Sequence, residues 1–412
     1  MNYFIKNIHV NKLFHLNDFD IPIADKKYPH LIITGKNGSG KTVLLNAISD
    51  FLNTIKSDLS MDFLSYNNNL SYWREKTEAI GDQERMQANR LVKHFSQQID
   101  ALYGKVELQS DLLSRIIEKY NTGNFIISFY QADRKVKMSE PKTPTKPVYN
   151  KKGNVKETVT SQFLNFLSDL KIQEALARNE SLTKDADEIK NWFNDFEDLL
   201  RQIYQDKELQ LEFNYRDYSF KISTEGKKFK FTDLSDGFAA ILDIVADLIL
   251  KMQEEKSLTR SYQKEGIVLI DEIETHLHLG LQKVIMPLLT KVFPNIQFII
   301  TTHSPFVLSS MPNAVAYDLE HKEILDDLTE YSYEALAEGY FGVKTQSSYA
   351  EMQLERFKEL LAKEALSDAD KVELKQLKSY FEKINEVVSP LIVGEFHQVV
   401  IKNVEKLNSL KK

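Results

Sequence analysis

Apolar positions along the chain follow two rhythms. Leu31–Ile33, Phe125–Tyr130, Ile267–Ile270 and Ile296–Ile300 are short apolar runs with little alternation, the pattern of strands covered on both faces. Residues 3 to 10 alternate and read as a strand, followed by an extended piece around Phe14–Ile23. Leu209–Phe213 and Tyr218–Ile222 read as a hairpin ending near Gly226. Elsewhere helical spacing dominates. Residues 43–120 read as mostly helical and charge-rich, with a polar break expected at Tyr66-Asn67-Asn68-Asn69. Ile189, Trp192, Phe193, Phe196, Leu199, Leu200 and Ile203 recur at i, i+3, i+4 and i+7 and form one broad apolar stripe, which reads as core. Ala239–Leu250 reads as a helix, its apolar run interrupted by Asp243 and Asp247, and the tail from about Tyr349 is helical, with Leu354, Phe357, Leu360 and Leu361 on one face. Strands alternating with helices predict an α/β fold.

Composition narrows the class. The chain has 412 residues, 42% of them hydrophobic, so a sizeable core is expected. The net charge of −7 gives no global basic footprint for nucleic acid. Between Arg134 and Lys156, however, eight Lys/Arg stand against one acid among three prolines. That stretch reads either as a solvated loop or as a basic arm for nucleic acid or an acidic partner. The absence of cysteine excludes disulfides, zinc ribbons and thiol catalysis. With no membrane-length apolar run and no signal-peptide core in Met1–Asn7, a cytoplasmic setting without membrane contact is expected.

The most specific chemistry lies in Gly35-Lys36-Asn37-Gly38-Ser39-Gly40-Lys41-Thr42, which fits G-x-x-x-x-G-K-[ST]. The apolar run before it and the helical Val43–Ile48 after it supply the strand–loop–helix context of a phosphate loop. Glycines let backbone N–H groups converge on a phosphate at a helix N-terminus. Lys41 is then expected at the β- and γ-phosphates of ATP and Thr42 on Mg²⁺. Four other pieces follow in order. Gln131 comes after the strand Ile126–Tyr130, within reach of the metal or its water. Leu234-Ser235-Asp236-Gly237-Phe238 precedes a helix, so that Ser235 and the N–H groups near Gly237 suit a γ-phosphate. Ile267–Ile270 ends in Asp271, a candidate for the Mg²⁺ shell, and Glu272, a candidate general base. Ile299–Thr302 leads to His303, which would sense the γ-phosphate.

Taken together, GKNGSGKT, YQAD, LSDGF, IVLIDEIETHLH and FIITTHSPF resemble the ATP-binding cassette ATPases over roughly residues 1–320. Within them the likeness is to the RecF/SMC/OLD-like branch, whose members are often called AAA-type 15 or 21. The resemblance implies a P-loop NTPase with a mixed sheet, helical insertions and a helical C-terminal tail. It implies ATP hydrolysis with Gly35–Val43 on the phosphates, Gln131 in the Q-loop, Asp271 on the metal, Glu272 as base and His303 as switch. It also implies that Ser235 and Gly237 act in trans, closing on the nucleotide of another copy, and that Glu274–His278 occupies the D-loop. The signature departs from the family's usual LSGGQ at Asp236 and Phe238; Asp236 reads alternatively as the N-cap of the following helix.

The expected organisation is an N-terminal ATPase lobe (1–50), a helical insertion (51–120), the Q-loop strand (121–138), a loop with a second helical insertion (139–205), the rest of the ATPase core (206–320) and a helical C-terminal region (321–412). No sustained heptad separates Gln131 from Ser235, so a long-armed chromosome machine is not expected. Asp368-Ala369-Asp370, the only D-x-D after His303, reads as helix capping rather than a nuclease metal site. The chain thus reads as an ATPase without its own effector. In layout it resembles the ATPases of the PARIS and Septu anti-phage systems, which implies homo-oligomerisation and a separately encoded effector, a nuclease among the options, docked on the tail. Self-packing of that tail stays open, and so does a RecF-like role in DNA repair.

Overall fold

A computed structural model describes residues 5–23, 30–56, 59–79, 81–103, 105–110, 113–134, 138–141, 143, 155–253, 264–325, 328–342, 348–363, 365–384 and 389–409. Most of the Lys- and Pro-rich stretch between Arg134 and Lys156, with its reading as a basic arm, lies outside them. The chain divides into two units, Met1–Tyr331 and Ser332–Lys412. In the first, β1 (Asn7–Leu13), β2 (Leu16–Pro22) and β3 (His30–Thr34) lead to α1 (Lys41–Lys56), α2 (Leu59–Ala79) and α3 (Asp82–Tyr103). Then come β4 (Val106–Gln109), α4 (Leu113–Asn121), β5 (Phe125–Tyr130), α5 (Phe163–Asn179) and α6 (Thr183–Tyr204). A meander of β6 (Gln210–Asn214), β7 (Ser219–Thr224) and β8 (Lys227–Lys230) precedes α7 (Asp236–Met252) and β9 (Glu265–Ile270). The unit continues with α8 (Leu279–Val292), β10 (Ile296–Thr301), α9 (Pro305–Leu308), β11 (Ala314–Asp318) and β12 (Glu323–Leu325).

The central sheet runs β12-β11-β3-β10-β9-β5, parallel except for β12, which pairs antiparallel at the edge. Every residue of β3, β5 and β10 is buried, as their uninterrupted apolar runs predict. Because β3, β10 and β9 are parallel neighbours, the segments following them all emerge at one edge of the sheet, and β5 adds Gln131 beside β9. That edge is where an open parallel sheet places its ligands.

Two local expectations fail. The polar run Tyr66–Asn69 does not break the chain but lies inside α2. Tertiary contacts override its low propensity: Tyr66 meets Phe95 of α3, Leu70 is buried, and the Asn69 amide donates back to the Ser65 carbonyl at 2.8 Å. Val106–Gln109, in a stretch read as mostly helical, is a strand that pairs with β1. Its alternation is real, with Val106 and Leu108 inward, but four residues are too few to stand out from the helical pattern around them.

The aromatic stripe of α6 is core. Trp192 stacks on Phe196 at 5.5 Å, and Phe196 meets Phe163 of α5 edge-on. α7 is buried almost all round from Ala240 to Leu250, Asp243 and Asp247 included. Asp247 accepts from the Tyr130 hydroxyl (2.6 Å) and the Val159 amide (2.7 Å) and pairs with Lys251 (2.7 Å). A buried charge so partnered is tolerated.

Asp243 is less well served, and burial pushes its carboxyl up to about 6. The folded state therefore holds this proton at pH values where the unfolded chain, near 3.8, has lost it. Stability contributed here falls as pH rises through 6. Asn at 243 removes the dependence: between pH 5 and 7.5 the unfolding free energy of Asp243→Asn, measured by urea titration, should gain on the wild type by about 1.4 kcal/mol. A constant difference across that range would contradict it.

The second unit comprises α10 (Tyr333–Gly339), α11 (Ser348–Ala362), α12 (Asp368–Glu382), α13 (Pro390–Lys402) and α14 (Val404–Ser409). Phe357, Phe381 and Phe396 sit at its centre, with ring centroids 5.0 to 6.4 Å apart. Ser367 caps α12 in a reciprocal box with Asp370, the structural use read for the Asp368-Ala369-Asp370 stretch.

Candidate active site

The loop after β3 carries three positive-φ glycines, Gly35 (φ 128°), Gly38 (φ 86°) and Gly40 (φ 101°), a path that side chains would resist. At Gly40 a Cβ would also meet Leu16 at 3.0 Å. The loop ends on the first residue of α1, so the helix N-terminus points into it. The buried Lys41 ammonium folds back onto the Gly35 and Lys36 carbonyls at 2.8 and 3.0 Å. Burial pulls Lys41 below its usual range, opposed by the nearby carboxylates of Glu272, Glu274, Asp271 and Asp318. Lys36 pairs with Glu320 at 3.0 Å. The Ser39 hydroxyl is buried without a hydrogen-bond partner, a vacancy that a phosphate oxygen would fill.

Across the sheet edge, Asp271 is buried at the tip of β9. Its Oδ1 accepts from the Thr301 hydroxyl at 2.6 Å and from Thr42 at 3.2 Å, which joins the acid strand to the phosphate loop. Glu272 follows at φ 43°, a left-handed conformation uncommon for a residue with a side chain. Its amide donates to Thr301 Oγ1 at 2.8 Å and its carboxylate accepts from Thr275 at 3.3 Å. Glu272, His303, Asn37, Gly38, Gly40, Lys41, Thr42 and Val43 all line one cavity of about 330 Å³. Burial and the Lys41 charge hold the His303 imidazole below its ordinary value despite Glu272 and Asp271, which favours the neutral ring.

Gln131, Ser235 and Gly237 do not line this cavity. Gln131 is exposed at the end of β5, level with Asp271, whose amide donates to the Tyr130 carbonyl at 2.8 Å. Ser235, rather than Asp236, is the N-cap of α7: its carbonyl accepts from Ala239, and Asp236 lies in the first turn, where a carboxylate suits the helix dipole. The Ser235 hydroxyl is exposed and makes no capping bond. Gly237 packs so closely on the segment after β9 that a Cβ would lie 2.6 Å from the His276 carbonyl oxygen. Phe238 stacks on Tyr204 at 4.1 Å and meets His278 edge-on at 6.2 Å. The residue that departs from the usual signature thus belongs to an aromatic contact joining α6, α7 and the start of α8.

Several residues have roles at the site that no motif announces. Leu13, Phe14, His15 and Leu16, at the turn between β1 and β2, form one wall of the cavity; Phe14 is 81% exposed and His15 Nε2 lies 3.1 Å from the Ser39 carbonyl. Glu274 accepts from the Thr302 hydroxyl (2.8 Å) and the His303 amide (2.5 Å), clamping the turn that presents the imidazole, and burial raises its carboxyl. Its place two residues after Glu272 was the available signal. Arg134, counted above with the basic stretch, reaches inward to the backbone at Asp271–Ile273. Lys156, the other end of that stretch, bonds Asn46 at 2.6 Å.

Comparison with known proteins finds several likenesses. A 180-residue stretch is 32% identical to the Septu protein PtuA of Bacillus mycoides (strain KBAB4), covering 42% of this chain and 25% of that protein. The chain thus spans about a quarter of that relative's length. Over 371 residues it is 25% identical to the retron Vc95 probable ATPase of Vibrio cholerae serotype O1 biovar El Tor, covering 74% of this chain and 70% of the relative. Among solved structures, the SMC head bound to the C-winged helix domain of ScpA superposes with a TM-score of 0.39 at 13% identity, covering 76% of this chain and 94% of that one. No helix among the described residues is long and apolar enough to cross a membrane. The family model AAA_21, described as "AAA domain, putative AbiEii toxin, Type IV TA system", matches residues 31–309, and the chain belongs to this family.

Proposed function

We propose that the protein closes around ATP as a pair of like chains and that its nucleotide state governs a separately encoded effector, a nuclease, in bacterial anti-phage defence. The observation that carries the pairing is the signature loop. Ser235 stands outside the Lys41 cavity of its own chain, with its hydroxyl exposed at the N-terminus of a 17-residue helix. Such a helix end suits an anion supplied from outside. The likeness to a Septu protein and a retron ATPase supports the defence setting. The helical unit Ser332–Lys412 is our choice for the effector contact, and it exposes Leu391 and Ile401.

In this reading the phosphates lie on the loop Gly35–Val43 with Lys41 at the β- and γ-positions, and the base lies toward Phe14 and His15. Thr42, Asp271 and Gln131 would hold Mg²⁺, which neutralises charge developing on the phosphate oxygens when bound. Glu272 takes a proton from the attacking water. Neutral His303 donates toward the γ-phosphate from a turn fixed by Glu274. Ser235 of the second copy completes the site.

The test is Ser235→Arg. ATP affinity of the isolated chain should stay within about threefold, because the cis contacts are intact, while the ATP-induced pair seen by sedimentation disappears and turnover falls at least about tenfold (1.4 kcal/mol). Full turnover with an unchanged sedimentation profile would end the pairing model. Retained pairing without any response of co-expressed nuclease partners would end the effector model alone.

A further inference from the structure

Arg134 lies four residues beyond β5, in a stretch whose composition suggests solvent exposure, yet its guanidinium points inward. One terminal nitrogen donates to the Asp271 carbonyl at 2.9 Å and the Gln131 carbonyl at 3.2 Å. The other donates to the carbonyls of Glu272 at 3.2 Å and Ile273 at 3.3 Å. Its Nε is buried without a partner, so the side chain serves the backbone and not a carboxylate. Three successive carbonyls converge on one guanidinium because the chain turns sharply at Glu272, where φ is 43°. A non-glycine residue persists there only where the surroundings enforce it. Thr301 holds the amide side of this turn and Arg134 holds its carbonyl side. A planar fork spans these carbonyls with donors held at fixed spacing on two arms, whereas an ammonium's three donors radiate from a single nitrogen.

We propose that Arg134 is a positioning residue for ATP hydrolysis. It fixes the Asp271–Ile273 turn that aims the Glu272 carboxylate and ties that turn to the Gln131 segment, so that the aim of the base follows the position of the Q-loop. The proposal rests on the reading of Glu272 as the base. Arg134 is not itself in the cavity lining and meets Glu272 at its backbone carbonyl, so its loss acts through geometry. A displacement of about 1 Å at a reacting group can cost 10²-fold in rate.

The test uses the full chain and four variants: Arg134→Ala, Arg134→Lys, Glu272→Gln and the double variant Arg134→Ala/Glu272→Gln. We expect Arg134→Ala to lower kcat by about 10- to 100-fold with the Kd for ATP within about threefold. Arg134→Lys, which keeps the charge and the fold while losing the fork, should show the same split. In the Glu272→Gln background Arg134→Ala should lower the residual turnover less than twofold, because both changes act on one step. A kcat within twofold of wild type in either folded Arg134 variant overturns the proposal. So does an equal fold-loss with and without Glu272→Gln, or a parallel loss of ATP affinity. If Glu272→Gln by itself leaves turnover normal, the base assignment fails instead, and the two failures are told apart.

Discussion

Glu272→Gln is expected to reduce ATP turnover by about 10²- to 10⁴-fold while ATP binding is kept or strengthened. The substitution preserves shape and the hydrogen bond from Thr275 and removes only the capacity to accept a proton. It also removes one negative charge from the cavity proposed to receive a triphosphate, which favours binding. The backbone at 272 is held by Thr301 and Arg134 and not by the carboxylate, so the fold should be untouched. Single-turnover kinetics with labelled ATP, set beside equilibrium binding, separate the two effects. ATP should accumulate on the variant together with the closed pair. Normal turnover would show that another group takes the proton, and weakened binding would show that Glu272 serves the ground state.

The second large effect is at Lys41. Lys41→Ala should weaken ATP binding at least about 100-fold, equivalent to about 2.7 kcal/mol. The ammonium is preorganised: it is buried and held by two loop carbonyls at 2.8 and 3.0 Å, a short rotation away from any phosphate on the Gly35–Val43 loop. Charge-assisted bonds made from such a position are the strong ones. Without the lysine those carbonyls face an anion unshielded, so the loss exceeds that of one hydrogen bond. Titration calorimetry gives the affinity and a thermal melt checks the fold. Binding within about threefold of wild type would remove Lys41 from the triphosphate.

The strands that carry the site were readable because each is an uninterrupted apolar run ending in a chemically distinctive group: the glycine loop after β3, two acids after β9, a histidine after β10. Periodicity also identified α6 as core. What stayed hidden depends on chain segments meeting at a distance. Nothing local distinguishes Arg134 from the lysines after it, or Thr301 from any threonine ending a strand; their meaning appears only when β5, β9 and β10 lie side by side. Phe14 is an apolar residue at a hairpin turn until the phosphate loop comes up against it. The Asn run in α2 misled because propensity is local and the packing that overrules it is not.

The contact between Gly237 and the His276 carbonyl has a mechanical corollary. With no room for even a methyl group between them, the start of α7 lies directly against the exit of β9, and a shift of one would press on the other as on a single lever. In a closed pair that lever has the acids of one active site at one end and the serine offered to its neighbour at the other. The two catalytic centres would then be wired in series, and a subunit frozen at one end would silence its twin.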